Sequence, residues 1–144
     1  MAYVPTTRHL QRGKDFADLH YAERIGVEDM AAAAGLSVAH FSREFRRAFG
    51  ESPHAYLLTR RLERAAALLR NTDHSVADIC FSVGLQSVGS FTSSFTRTYG
   101  VTPTGYRATF PPASLHARIP TCVLLAYSRP QRSRNGEENR ERRP

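Results

Sequence analysis

The feature that most constrains this chain is an internal repeat with a spacing of about fifty residues. The stretch VEDMAAAAGL at 27–36 is matched forty-nine positions later by VADICFSVGL at 76–85. A second set recurs at a spacing of fifty: Phe41, Phe45, Phe49, Gly50, Pro53 and Tyr56 match Phe91, Phe95, Tyr99, Gly100, Pro103 and Tyr106. The spacing changes by one between the two sets, which predicts one extra residue in the turn of the second copy.

Each copy has the pattern of two short helices around a tight turn. In the first copy, 27–34 is rich in alanine and favours a helix. Gly35 ends that helix, because glycine readily adopts the left-handed conformation, and Ser37 can cap the next one. The second copy carries equivalent signals, which are a capping box at Ser75 and Asp78, a closing Gly84 and a capping Ser87. Helix, short turn with glycine, helix is the helix-turn-helix pattern.

Further helices are predicted before, between and after the two copies. Apolar spacing predicts an opening helix over 10–24, a cap followed by Pro53 begins a linker helix over 53–71, and Pro103 begins a short last helix. No strand periodicity occurs within 9–108. The sequence therefore predicts an all-α fold of two helix-turn-helix subdomains, homeodomain-like repeats, joined by a long linker helix.

The predicted organisation has one folded domain and a tail. The domain covers 9–108, with helix-turn-helix unit one at about 27–49 and unit two at about 76–99. Residues 109–144 form a tail rich in proline and arginine, which we expect to be largely disordered.

Composition and charge narrow the class of protein. The net charge is +7 over 144 residues, but seven arginines against three glutamates place +4 of it in 111–144, so charge only supports a polyanionic partner. No apolar run is long enough to cross a membrane, and no signal-peptide segment is present, which favours a cytoplasmic protein. Cys80 and Cys122 are far apart and the histidines are scattered, so we expect no zinc site, no cofactor and a buried Cys80.

The outer side of the first copy's second helix is a predicted DNA-binding surface. At 100° per residue, Phe41, Phe45 and Phe49 lie on one side together with Val38. The opposite side, called face one, consists of Ala39, His40, Ser42, Arg43, Arg46 and Arg47. Small residues at its start allow close approach to a major groove, and arginine can donate two hydrogen bonds to guanine. A solvated face of a helical bundle is the alternative.

The outer side of the second copy's second helix has a different character. Val88, Phe91, Phe95 and Tyr99 form the inward ridge, and the opposite side, called face two, consists of Gly89, Ser90, Thr92, Ser93, Thr96 and Arg97. Only one charge remains there, so unit one is predicted to supply most of the sequence discrimination. Gly89 inside a helix costs up to about 1 kcal/mol relative to alanine, a cost that is reasonable if a partner approaches closely.

The predicted linker helix sets a length scale. Nineteen residues at about 1.5 Å each give roughly 28 Å, against roughly 34 Å for one turn of B-DNA. Two such units could enter successive major grooves, with the DNA bent toward the protein. Arg60, Arg61 and Arg64 of this helix are candidate phosphate contacts, although plain solvation is the more common role of such residues.

The pattern over 9–108 resembles the AraC/XylS family of bacterial transcription regulators. VGLQSVGSFTSSFTRTYGVTPTGYR at 83–107 carries the most specific likeness, and RRLERAAALLRNTDHSVADIC at 60–80 is similar to the family's linker. The resemblance implies two DNA-reading units, binding as a monomer, and activation through RNA polymerase. It places base-reading residues at Ala39, Ser42, Arg43, Val88, Gly89, Thr92 and Ser93. Relatives often have a basic residue at position 93 and an aromatic one at 85, where this chain has Ser93 and Leu85.

The resemblance also bears on control of the protein. Many relatives carry a further ligand or dimerisation domain, and none fits in this chain, so it resembles the standalone members and is expected to lack a built-in effector site.

Three other classes of protein are alternatives to a sequence-specific DNA-binding regulator. The chain has no GxSxG, P-loop, HExxH or paired-carboxylate pattern, which argues against an enzyme. A helical protein-interaction module would bind its partner with little dependence on salt, whereas DNA binding weakens steeply as salt rises. A nonspecific nucleic-acid binder would depend on the tail, so deletion of 111–144 would remove its affinity.

Overall fold

The helices follow start and stop signals that the sequence carries. The computed structural model describes residues 6–113. These residues form seven helices: α1 (Thr6–His20), α2 (Val27–Ala34), α3 (Val38–Phe49), α4 (Pro53–Asn71), α5 (Val76–Ser82), α6 (Val88–Tyr99) and α7 (Pro103–Ala108). This part of the chain contains no strand, and the all-α prediction is confirmed for it. The fold divides within α4 into two compact units. From here on, unit one is the part that ends at Arg61 and unit two is the part that begins at Leu62.

The two helix-turn-helix turns are built in the same way. Gly35 and Gly84 both have positive φ, of 72° and 87°. In each turn the residue after the glycine donates its N–H to a carbonyl five residues earlier: Leu36 to Ala31 at 3.0 Å and Leu85 to Cys80 at 3.1 Å. The glycine itself donates to a carbonyl three residues earlier, Gly35 to Ala32 at 3.0 Å and Gly84 to Phe81 at 3.1 Å. These two bonds together are the Schellman motif, which satisfies carbonyls that the helix end would leave unpaired. The next cap comes two residues after Gly35 and three after Gly84, which confirms the extra residue.

Side-chain caps start most of the remaining helices where they were predicted. The Ser52 hydroxyl accepts from the Ala55 N–H at 3.1 Å at the start of α4, and Thr102 accepts from the Gly105 N–H at 3.1 Å at the start of α7. Ser75 accepts from the Asp78 N–H at 3.0 Å at the start of α5. Each such cap stabilises a helix by about 1 kcal/mol.

The opening helix lies four residues earlier than predicted, at 6–20 instead of 10–24. Its early end has a physical reason, because the carbonyls of Tyr21, Glu23 and Ile25 accept hydrogen bonds from the Arg61 side chain. A helix continuing through this segment would direct those carbonyls along its own axis.

The core of unit one requires a glycine in α1. Its buried members are Leu10, Ala17, Met30, Ala31, Ala34, Phe41, Phe45 and Leu57. Gly13 is also buried, and a Cβ on it would lie 2.5 Å from Cε1 of Phe41 and 3.0 Å from the carbonyl oxygen of Met30. Only a residue without a side chain lets the α1 backbone pack this closely against Phe41.

The core of unit two combines apolar residues with a buried arginine. Its fully buried apolar members include Leu62, Ala65, Ala66, Leu69, Ile79, Cys80, Val83, Phe91 and Phe95. Arg70 is only 4% exposed and donates from Nη1 to the hydroxyl of Tyr106 at 2.9 Å, which gives the buried charge an acceptor. The expectation of a buried Cys80 is confirmed, and burial raises the pKa of its thiol.

Two further observations concern membranes and the tail. None of the helices within residues 6–113 is both long and apolar enough to span a bilayer. Most of the predicted disordered tail falls on 114–144, which lies outside the described residues.

Candidate nucleic-acid interface

The phenylalanine ridge of α3 fixes which side of this helix points outward. Phe41 and Phe45 are fully buried, with ring centroids 5.4 Å apart, and Phe49 lies 4.6 Å beyond Phe45. Tyr56 adds an aromatic contact to Phe45 at 5.8 Å. Because these rings are held inside unit one, the opposite side of α3 is directed away from the core.

Face one is accessible along its whole length. Ala39, Arg43, Arg46 and Arg47 are exposed, and His40 and Ser42 are half-buried. Arg47 pairs with Glu44 through Nη1 and Oε1 at 3.3 Å, but its side chain is 77% exposed, so the pair adds little stability and the arginine can exchange partners. The predicted surface therefore carries three accessible arginines beside a small alanine.

The first turn of α3 departs from the prediction at one residue. Val38 was expected on the inward ridge, yet it is 45% exposed. The Cβ atoms of a helix tilt toward its N-terminus, so the first side chain of α3 points past the end of the ridge. Ser37 caps the same turn, accepting from the His40 N–H at 3.2 Å. An apolar side chain therefore lies next to Ala39 at the end of the helix that was expected to approach DNA.

The ridge of α6 is equally well packed. Phe91 and Phe95 are buried with centroids 5.8 Å apart, and Tyr99 stacks on Phe95 at 4.4 Å. Tyr106 meets both Phe95 and Tyr99 edge-on, at 5.4 and 5.3 Å. Face two consequently points out of unit two.

Face two offers few hydrogen-bond donors. Its exposed residues are Gly89, Ser90, Ser93 and Arg97, and its half-buried residues are Thr92 and Thr96. Val88, beside face two, is also half-buried. The hydroxyls of Thr92 and Thr96 donate back to the carbonyls of Val88 and Thr92, at 2.8 and 2.7 Å. Phosphate oxygens only accept hydrogen bonds, so these two threonines are poorly suited to phosphates and present their lone pairs to donors such as base amino groups.

Gly89 has no structural reason within unit two to be glycine. A Cβ at this position would meet nothing closer than the Ser87 hydroxyl, at 4.0 Å. Its φ is not positive, so alanine could adopt the same backbone. The contrast with Gly13, where protein fills the space of a side chain, indicates that the open space over Gly89 is available to a partner.

The linker arginines do not share one role. Arg61 donates to three backbone carbonyls, and its partial burial lowers the pKa of the guanidinium. Arg60 pairs with Asp18, from Nε to Oδ1 at 3.1 Å. Arg64 is exposed. The interpretation of Arg61 as a phosphate contact is therefore unsupported, because its donors face the protein, and sequence reasoning missed this contact.

No three side chains of His, Cys, Asp or Glu within residues 6–113 come together as metal ligands.

Comparison with known proteins then identifies the family. A family model described as a helix-turn-helix domain matches residues 30–109, more than half of the chain. A solved regulator from Chromobacterium violaceum, described as containing an AraC-type DNA-binding domain, superposes with a TM-score of 0.66 at 28% identity, over 72% of this chain and 93% of that one. The chain belongs to the AraC family of helix-turn-helix regulators.

Relatives within the AraC family include both regulators and solved domains. The HTH-type transcriptional regulator ExsA of Pseudomonas aeruginosa is 33% identical over 102 residues, which are 71% of this chain and 37% of ExsA. MtrA of Neisseria gonorrhoeae is 42% identical over 81 residues, 56% of this chain and 27% of MtrA. This chain therefore spans well under half the length of these curated relatives.

A further similar structure was solved with DNA bound. The DNA-binding domain of AdpA, a global transcriptional factor solved in complex with a target DNA, is 33% identical with a TM-score of 0.66, over 76% of this chain and 94% of that one.

Proposed function

We propose that this chain is a sequence-specific transcription factor that binds double-stranded DNA as a monomer, with α3 and α6 in adjacent major grooves. The domain that binds is 9–108, and RNA polymerase is a proposed partner. Face one is the observation that most directly supports this proposal. Its arginines Arg43, Arg46 and Arg47 are accessible, and the other side of the helix is buried in the core. The AdpA domain, solved with its target DNA, supports a DNA partner for a chain of this fold.

The two faces divide the work of recognition. On face one, Arg43 reads a guanine through two hydrogen bonds, Ala39 meets a thymine methyl group together with the neighbouring Val38, and Ser42 and His40 add polar contacts. Arg46 and Arg47, further along the helix, neutralise phosphates. On face two, Gly89 lets the DNA approach, Thr92 and Ser93 contact bases together with the neighbouring Val88, and Arg97 binds a phosphate. Unit one therefore contributes most of the discrimination.

The test begins with selection of the preferred duplex from a random library, followed by binding of Arg43→Ala to that duplex and to single-base variants. We expect a loss of about 1–3 kcal/mol and a relaxed preference at one base pair. Arg24→Ala is the matched control, because Arg24 is exposed and lies outside both faces. Equal loss on every sequence would instead assign Arg43 to a phosphate.

Salt and the tail separate this function from its rivals. Affinity for the selected duplex should fall steeply with rising salt and survive deletion of 111–144. An interaction module of apolar character would show no selected duplex at all. A nonspecific binder would lose its affinity together with the tail.

A further inference from the structure

Two arginines make the same unusual set of hydrogen bonds, one in each unit. Arg61 donates from Nε to the carbonyl of Tyr21 at 2.8 Å, and from Nη2 to the carbonyls of Glu23 and Ile25 at 3.1 and 3.2 Å. All three carbonyls lie in the segment between α1 and α2. One guanidinium therefore binds the whole connection that leads into the first helix-turn-helix pair.

Arg107 repeats the arrangement in unit two. Its Nε donates to the carbonyl of Leu69 at 3.0 Å, and its Nη2 donates to the carbonyls of Thr72 and His74 at 3.2 and 2.6 Å. These carbonyls belong to the end of α4 and the connection into α5. The same two nitrogen atoms are used, and again three carbonyls are satisfied.

The two arginines do not occupy equivalent positions of the repeat. Pro53 matches Pro103, yet Arg61 follows Pro53 by eight residues and Arg107 follows Pro103 by four. The residue that matches Arg107 is Leu57, which is buried in the core of unit one. The shared geometry is therefore not a simple copy of one residue, and the same contact is made from positions one helical turn apart.

In each unit the contact joins segments that lie on either side of the helix-turn-helix pair in the sequence. Arg61 lies 36 to 40 residues after the carbonyls that it binds, and Arg107 lies 33 to 38 residues after its own. The recognition helices are those proposed to enter the DNA grooves, α3 and α6. Each guanidinium joins the helix that follows the recognition helix to the segment that precedes the helix-turn-helix pair. The recognition helix lies between these two points in the chain, so its placement depends on both.

We infer that Arg61 and Arg107 are positioning residues for the two recognition helices and do not contact DNA. This inference rests on the proposed function. The planar guanidinium presents its donors in a fixed fork that three carbonyls can share, whereas the lysine ammonium is a compact point charge on a flexible stem. Arginine is therefore required at both positions for the geometry of its donors, and a lysine of the same charge cannot replace it.

The test uses the full chain with Arg61→Lys and Arg107→Lys, and Arg12→Lys as the matched control, because Arg12 is exposed on α1 and belongs to neither face. All three variants keep the net charge. Affinity is measured for the duplex selected as above and for an unrelated duplex of the same length, across a salt series and below the onset of thermal unfolding. If one variant is unfolded at that temperature, the other carries the test, because the two contacts lie in different units.

We expect each positioning variant to lose about tenfold or more in affinity for the selected duplex, because a recognition helix must be held within fractions of an ångström. Affinity for the unrelated duplex and the salt slope should stay unchanged, and Arg12→Lys should bind as the original chain does. A lower melting temperature with unchanged discrimination would reduce the role to stability alone and overturn the inference. Equal losses on both duplexes would overturn it in favour of phosphate contacts. A chain that selects no duplex would refute the proposed function instead.

Discussion

Substitution of Gly89 by alanine separates the demands of the fold from those of a bound partner. The added methyl meets no atom closer than 4.0 Å, so it brings no steric cost within unit two. Alanine also loses less backbone entropy in a helix than glycine, by about 0.5–1 kcal/mol. Because Gly89 is the second residue of α6, the lower end of that range applies, and melting should occur a few degrees higher.

The same methyl should weaken DNA binding. If a groove approaches the first turn of α6 as closely as proposed, one extra carbon on the contact surface separates helix and DNA. We expect affinity for the selected duplex to fall about tenfold, equivalent to 1.4 kcal/mol. Thermal denaturation by circular dichroism and fluorescence anisotropy with labelled duplex measure the two effects on the same preparation.

If a partner approaches Gly89 closely, Gly89→Ala must raise the melting temperature and lower the affinity for the selected duplex. Higher stability with unchanged affinity would show that no partner comes near Gly89, and the assignment of face two would fail. Lower stability would show that the helix itself needs the glycine.

Three further predictions concern stability, each measured by chemical denaturation of the full chain. Gly13→Ala should destabilise by about 1–3 kcal/mol, because its methyl would overlap the buried ring of Phe41; an unchanged midpoint would contradict the close packing of α1. Tyr99→Phe should leave stability unchanged or raise it by up to about 1 kcal/mol, because among the described residues nothing pairs with the buried Tyr99 hydroxyl. Tyr106→Phe should cost about 1–3 kcal/mol, because it removes the hydroxyl that accepts from buried Arg70. Equal effects of the two variants would refute this distinction. Burial raises the pKa of both tyrosines above the unfolded value of about 10. Their contribution to the free energy of unfolding is therefore complete below that pH and is lost as pH rises further. Tyr99→Phe should make this loss of stability with pH less steep.

Local signals made the helices predictable. Gly35 and Gly84 with positive φ, the serine caps, and the prolines that begin α4 and α7 each act over a few residues, and they lie where the sequence indicated. The phenylalanine ridges were predictable for the same reason, because a helix has a fixed period.

Contacts between distant segments were not predictable in this way. The hydrogen bonds of Arg61 join residues 36 to 40 apart, and no periodicity encodes which carbonyls a long side chain will reach. The helical angle assigned Val38 to the ridge, but it ignores how the first turn of α3 projects beyond the core. Gly13 did leave a signal, since a glycine inside a helical pattern often marks close packing.

The dependence of Phe41 on α1 affects how this protein can be shortened. The match to the family begins at residue 30, after α1 has ended, although α1 supplies Leu10, Ala17 and the groove at Gly13. A fragment trimmed to the matched region would leave the ring of Phe41 facing water and would be prone to aggregate. Preparations intended for binding or crystallisation should therefore retain the chain from before Thr6.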